Sequence, residues 1–167
     1  RDRDDRRTQV TALHRSTALP LVIGVLCLAA VAAALVTQHV FDMQPCPWCV
    51  LQRLIFVSIA LAALIGLVWR STLGQRLSAA GMLLLGLCGV AAALWQHFVA
   101  AVSSSCNLTL AERIISGLNL DALLPEIFQP RASCADAAAT LLGVPYEFYS
   151  LTLFMLISIL ALRLLVR

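Results

Sequence analysis

"LPLVIGVLCLAAVAAALV", residues 19–36, is the stretch on which the fold turns. It carries no charge, and its length approaches the ~20 apolar residues that take a helix across a bilayer. Its small-residue ending, "AAVAAAL", also resembles the cleavage region of a signal peptide. The apolar run, however, exceeds the roughly 7–15 residues of a signal-peptide core, so a retained span is the reading adopted. Working outward, residues 50–69, 79–95 and 148–166 form three more windows of the same kind. The 167 residues are 60% hydrophobic and 13% charged, with mean hydropathy +0.89, which excludes an ordinary soluble core. The expected fold is an all-α membrane protein, a four-transmembrane-helix bundle forming one domain over 1–167. It leaves a cytoplasmic tail at 1–18, a first periplasmic loop at 37–49 and a second at 96–147. The leader "RDRDDRRTQ" mixes both charge signs and reads as a solvated, frayed tail without a function of its own.

Every basic residue apart from histidine is arginine, and their placement gives an orientation. Arg1, Arg3, Arg6, Arg7 and Arg15 precede the first span, Arg70 and Arg76 lie between the second and third, and Arg163 and Arg167 end the chain. The opposite side holds only Arg113 and Arg131. Both termini are therefore expected on the cytoplasmic side, with the two loops outside; in a bacterial inner membrane, outside is the periplasm.

The six cysteines divide by position. Cys27 and Cys88 lie in mid-span, where a thiol serves as a small apolar filler. Cys46, Cys49, Cys106 and Cys134 all fall in the two loops, in a compartment where thiols are oxidised to disulfides. In "PCPWC", residues 45–49, Pro47 suits the first turn of a helix, which makes Cys46 the N-cap and places Cys49 one turn in. The partial positive charge of a helix N-terminus favours thiolate over thiol, and thiolate is the reactive form. Arg53, four residues after Cys49, falls on the same helix face one turn deeper. A charge inside a span costs at least ~2.5 kcal/mol, so either something offsets it or the side chain snorkels to the headgroups.

In the second loop, Thr109-Leu110-Ala111-Glu112 fits a capping box. Leu108, Ala111, Ile115 and Leu118 then line one face of a short amphipathic helix expected to lie on the bilayer, assisted by Leu123, Leu124, Ile127 and Phe128. Cys106 and Cys134 flank this segment in polar surroundings, "SSSCN" and "RASCAD", accessible to a soluble partner. As alternatives, the loop pair can be a structural staple, or the four loop cysteines a closed zinc site.

"QHVFDMQPCPWCVLQR", "WQHFV", the loop pair Cys106 and Cys134, and "LPEIF...CADAAATLLG" together resemble the disulfide-bond formation protein B (DsbB) family of inner-membrane thiol oxidases, over roughly residues 19–167. The resemblance implies a protein-dithiol:quinone oxidoreductase that carries electrons from a soluble periplasmic DsbA-like oxidase to membrane quinone, ubiquinone ahead of menaquinone. Carried over by motif, Cys106 and Cys134 form the disulfide that the partner attacks, with Cys106 in the mixed disulfide. Cys134 then attacks Cys46 and releases Cys49 as the thiolate at the quinone ring. Arg53 lies beside the ring, and His97, from "WQHF", lines the same site. Thermodynamics agrees with an acceptor of this kind, since DsbA is itself a strong oxidant near about −120 mV and only a stronger one regenerates it. No flavin or nucleotide fingerprint offers another acceptor.

Overall fold

The computed structural model describes residues 2–102, 109–137, 140–141 and 143–166, with side chains omitted at 2–17 and at 141. Cys106, Leu108 and both terminal arginines, Arg1 and Arg167, lie outside the described residues. Four helices are long and apolar enough to cross a membrane: Ala18–Val40, Pro47–Val68, Thr72–Ala100 and Tyr146–Val166. They are the long parts of α1 (Asp2–Val40), α2 (Pro47–Val68), α3 (Thr72–Trp95) and α7 (Tyr146–Val166), with α3 extended by a π-helical turn, Gln96–Ala100. The chain is an all-α four-helix membrane bundle.

Helix ends depart from the apolar windows for local reasons. No glycine or proline falls between residues 2 and 19, and α1 starts at Asp2, so the segment expected to fray is continuous helix. α3 begins seven residues before its apolar window because Ser71 caps it, accepting from the Gly74 N–H at 3.1 Å. α2 begins as expected, with Pro47 in the first turn and the Cys46 sulfur accepting from the Cys49 N–H at 3.2 Å.

α2 is the hub, packed against α1 on one side and α3 on the other, while α3 and α7 form the tightest seam and α1 meets α7 only sparsely. At the centre the Phe56 and Phe154 rings stack at 4.0 Å and 7°, with Ile23 and Cys27 of α1, Ile59 of α2, Met82 of α3 and Ile157 of α7 fully buried nearby. The α3–α7 seam depends on absent side chains, as is common between membrane helices. A Cβ on Gly89 would overlap the Phe154 ring, and one on Gly86 would press on the Ser158 hydroxyl. Outward faces carry Leu21, Leu28, Leu61, Leu84 and Leu156 exposed, a surface suited to lipid. Cys27 is interior filler as expected, whereas Cys88 is exposed on the outer face of α3.

Between α3 and α7 the chain forms α4 (Leu110–Gly117) and two single turns, α5 (Leu120–Leu123) and α6 (Pro125–Phe128). The capping box is present: the Thr109 N–H donates to Glu112 Oε2 at 2.7 Å, and the Glu112 N–H donates to Thr109 Oγ1 at 3.3 Å. The apolar face of α4 is used differently from expectation. Ala111 and Ile115 are fully buried, and Ile115 packs with Phe128 against Val50 of α2. The residues left outward are Leu110, Ile114 and Leu118. Because α4 packs against α2, its apolar face gains more from that complementary protein surface than from an interface already half wet. A two-residue hairpin, β1 (Thr140–Leu141) and β2 (Val144–Pro145), turns at Gly143, whose φ of +80° suits glycine, and leads into α7.

Candidate redox site

The site lies at the end of the bundle where α1 ends and α2 and α7 begin. Cys46 is fully buried and Cys49 half-buried, with their sulfurs 2.7 Å apart. Cys134 joins them because the loop after α6 is fastened to the first loop: the Arg131 and Ala132 N–H groups both donate to the Pro45 carbonyl, at 2.9 and 3.3 Å. That clamp sits one residue before Cys46 and brings the half-buried Cys134 up to the Cys46 sulfur. Cys46 is thus the middle of three sulfurs. Its contacts with the Cys134 and Cys49 sulfurs, then burial, hold the Cys46 thiol well above the ordinary thiol range. The Cys134 thiol is held low, first by the hydrogen bond from Cys46 and further by the Trp48 backbone N–H, against the opposing effect of burial. Cys106, the fourth sequence-predicted thiol, lies outside the described residues.

Arg53 does not snorkel. It is 6% exposed, and its guanidinium donates to Gln38 Oε1 at 2.7 Å, to the Ile127 carbonyl at 3.1 Å and to the Ala34 carbonyl at 3.3 Å. Those partners are all neutral, so the charge is held in position without an ion pair among the described residues. In a low-dielectric interior such a cation favours a nearby anion strongly.

Beside these groups is a cavity of about 270 Å³ between α1, α2 and α7. One end is apolar, with Ala30, Ala33, Phe56 and Leu153, and the other is polar, with Cys49, Gln52, Arg53, Gln96, Tyr146 and Glu147. Gln44 lines it too, and its Oε1 is buried without a hydrogen-bond partner among the described residues, while its Nε2 is engaged by Asp42. A largely apolar pocket with one sulfur, one buried cation and one acceptor unpartnered among the described residues could hold a lipid-soluble ring bearing oxygens that alternate between carbonyl and hydroxyl. A quinone headgroup is of that kind.

The sequence-predicted set is therefore only partly gathered. Cys49 and Arg53 share the cavity, while His97 does not line it. Its Nδ1 lies 2.7 Å from Glu147 Oε1 and its ring is edge-on to Phe98 and Phe148, so it reaches the cavity only through Glu147. The residue that faces inward is its neighbour Gln96, which donates to the Cys49 sulfur at 3.3 Å and accepts from Gln52 at 2.7 Å. Gln52 and Gln96 stand in the motifs "VLQR" and "WQHF", and amides there, at the ends of apolar spans, were the available signal.

A four-helix membrane bundle with clustered thiols at one end and a ligand-sized cavity beneath them defines a class, the membrane oxidoreductases that make disulfide bonds. Comparison with known proteins narrows the class to one family. A family model described as "Disulfide bond formation protein DsbB" matches residues 16–164. Disulfide bond formation protein B of Pseudomonas syringae pv. tomato is 34% identical over 149 residues, covering 89% of this chain and 88% of that one. The proteins of the same name from Aromatoleum aromaticum (33% over 154 residues, 90% and 92% covered) and Herminiimonas arsenicoxydans (30% over 148 residues, 88% and 93%) are similar along nearly their whole lengths. The chain belongs to the DsbB family, and its role lies in disulfide bond formation.

Proposed function

We propose that this protein re-oxidises a DsbA-like periplasmic dithiol oxidase and passes the two electrons through two cysteine pairs to membrane quinone. The observation that carries the reading is the placement of Cys46 between Cys134 and Cys49, with Cys49 opening onto the cavity that holds the Arg53 charge. In the sequence we propose, a thiolate of the partner attacks Cys106 of a Cys106–Cys134 disulfide. The mixed disulfide forms on Cys106, and Cys134 leaves as thiolate. The partner's second thiol resolves that bond and departs oxidised, leaving Cys106 and Cys134 reduced. Cys134 then attacks Cys46 of the Cys46–Cys49 disulfide, and Cys49 leaves as thiolate toward the cavity. Cys106 closes the second exchange by displacing Cys46 from Cys134, so the loop disulfide is restored and the helix pair holds both electrons.

Quinone, when bound, supplies the two-electron sink that restores the Cys46–Cys49 disulfide. Cys49 would face it, Arg53 would hold the negative charge that develops on its oxygens, and the orphan Gln44 Oε1 would accept from its reduced hydroxyl. Glu147, backed by His97, lines the same cavity and is placed to hold a proton there. Ubiquinone is the expected acceptor ahead of menaquinone. Membrane topology follows from the arginine distribution, with both termini cytoplasmic, the two loops periplasmic, and 1–167 forming one membrane domain.

The test is to extract the purified full-length protein with organic solvent and identify bound lipid by mass. Quinone at near-stoichiometric amount is expected, with less in Arg53→Ala. A preparation that oxidises a dithiol protein yet neither carries nor requires quinone would overturn the acceptor.

A further inference from the structure

Two buried amides form a chain that ends on the reacting sulfur: Gln52 Nε2 donates to Gln96 Oε1 at 2.7 Å, and Gln96 Nε2 donates to Cys49 Sγ at 3.3 Å. Gln52 and Gln96 are 4% and 7% exposed. Removing an amide from water is costly, and two apolar side chains would join α2 to α3 with less polar surface to satisfy. In the structure Gln52 turns its amide nitrogen to Gln96, so Gln96 presents its oxygen to Gln52 and its nitrogen to the sulfur, the orientation that serves a thiolate. The π-helical turn at Gln96–Ala100 is where α3 departs from regular geometry, a feature that recurs at functional sites.

We propose that Gln96, aimed by Gln52, is the catalytic hydrogen-bond donor that holds Cys49 as a thiolate once the Cys46–Cys49 bond has opened. Gln52 is its positioning residue. The two sulfurs of the pair are then served by different donors: Cys46 by the Cys49 backbone N–H at the helix N-terminus, and Cys49 by the Gln96 side chain. On opening, Cys49 takes the bonding electron pair as the leaving sulfur, and an N–H pointed at it stabilises that charge where it appears. The other titratable or charged groups around Cys49 are Arg53 from α2, Tyr146, Glu147 and Tyr149 from α7, and Cys46 and Cys134 from the loops, while α1 contributes none to the cavity wall. Arg53 stands one turn deeper on α2, whereas Gln96 is a neutral donor in direct contact with the sulfur.

The inference deepens the proposed function and rests on its assignment of Cys49 as the sulfur released toward the cavity. It is tested without quinone or partner. In full-length Cys46→Ser protein in detergent, the pH midpoint for alkylation of Cys49 by iodoacetamide is read by peptide mass spectrometry. Gln96→Leu should raise the midpoint by about one pH unit and Gln52→Leu by less. The near-isosteric Gln96→Glu should raise it at least as far as Leu, because a carboxylate replaces the donor. Unchanged midpoints in both Gln96 variants, with only melting temperature lowered, would reduce the pair to a packing contact and overturn the proposal. Should Gln96→Leu fail to fold, Gln96→Glu alone decides. A shifted midpoint in a protein that makes no use of quinone would keep this inference while rejecting the acceptor.

Discussion

Arg53 concentrates the electrostatics of the site, since three neutral acceptors hold its charge in place and none neutralises it. Arg53→Ala should keep the helices and the two proposed cysteine pairs yet lower quinone-dependent turnover by about 100-fold, the scale seen when one preorganised donor is removed from a developing negative charge. Arg53→Lys should fall between, because the charge stays while the planar fork is lost. Steady-state partner oxidation at varied quinone, normalised to folded protein, reads the effect, and unchanged quinone dependence in Arg53→Ala would take Arg53 out of the site. Cys134 gives a pH prediction with a definite sign. Its thiol is held low chiefly by the hydrogen bond from Cys46, so in the reduced protein it should stay alkylatable below the pH at which a free thiol protonates. Cys46→Ala removes that donor and should move the Cys134 profile upward. A profile that stays put would mean that Cys46 and Cys134 are not in contact. The cysteines and Arg53 were legible as residues because thiols in loops and a charge in a span are each anomalous. The standing of His97 was not, since its partner Glu147 comes from α7, fifty positions on, and no local pattern announces that meeting.

Among the elements, the four spans were readable because an uncharged run of helical length has few other uses, while their ends were less so. The first turns of α3, "TLGQRLS", are polar and yet helical because Ser71 caps them, and hydropathy says nothing about caps. The Ala111 and Ile115 face of α4 was visible as an apolar stripe, but an apolar stripe does not say whether lipid or protein will cover it. Here α2 covers it. The α3–α7 seam yields a sharper expectation. Gly89→Ala should destabilise the bundle by about 1–3 kcal/mol through overlap with Phe154, whose ring is already stacked on Phe56. Gly81, with open space around its Cβ position, is the control: Gly81→Ala should be neutral or slightly stabilising. Melting in detergent separates the two, and equal behaviour would remove close packing at Gly89 as a determinant of the fold.

For the molecule as a whole, the proposal divides two tasks between two sulfur pairs: exchange with a soluble protein at Cys106 and Cys134, and delivery to the membrane at Cys46 and Cys49. Cys106→Ser should abolish the mixed disulfide with the partner while the Cys46–Cys49 pair still reacts with added quinone. Partner oxidation at the wild-type rate in that variant would misplace the point of attack. A four-thiolate zinc site predicts otherwise, with all four cysteines reduced under non-reducing thiol trapping and activity lost to chelators. The central claim is that two electrons leave a protein dithiol and arrive on quinone inside the bilayer. The most direct measurement places the full-length protein in liposomes with ubiquinone, excludes oxygen, adds a reduced DsbA-like dithiol protein, and counts disulfides formed against quinol formed. One quinol for each disulfide is predicted, with no turnover in quinone-free liposomes; disulfide formation that continues at full rate without quinone would contradict it.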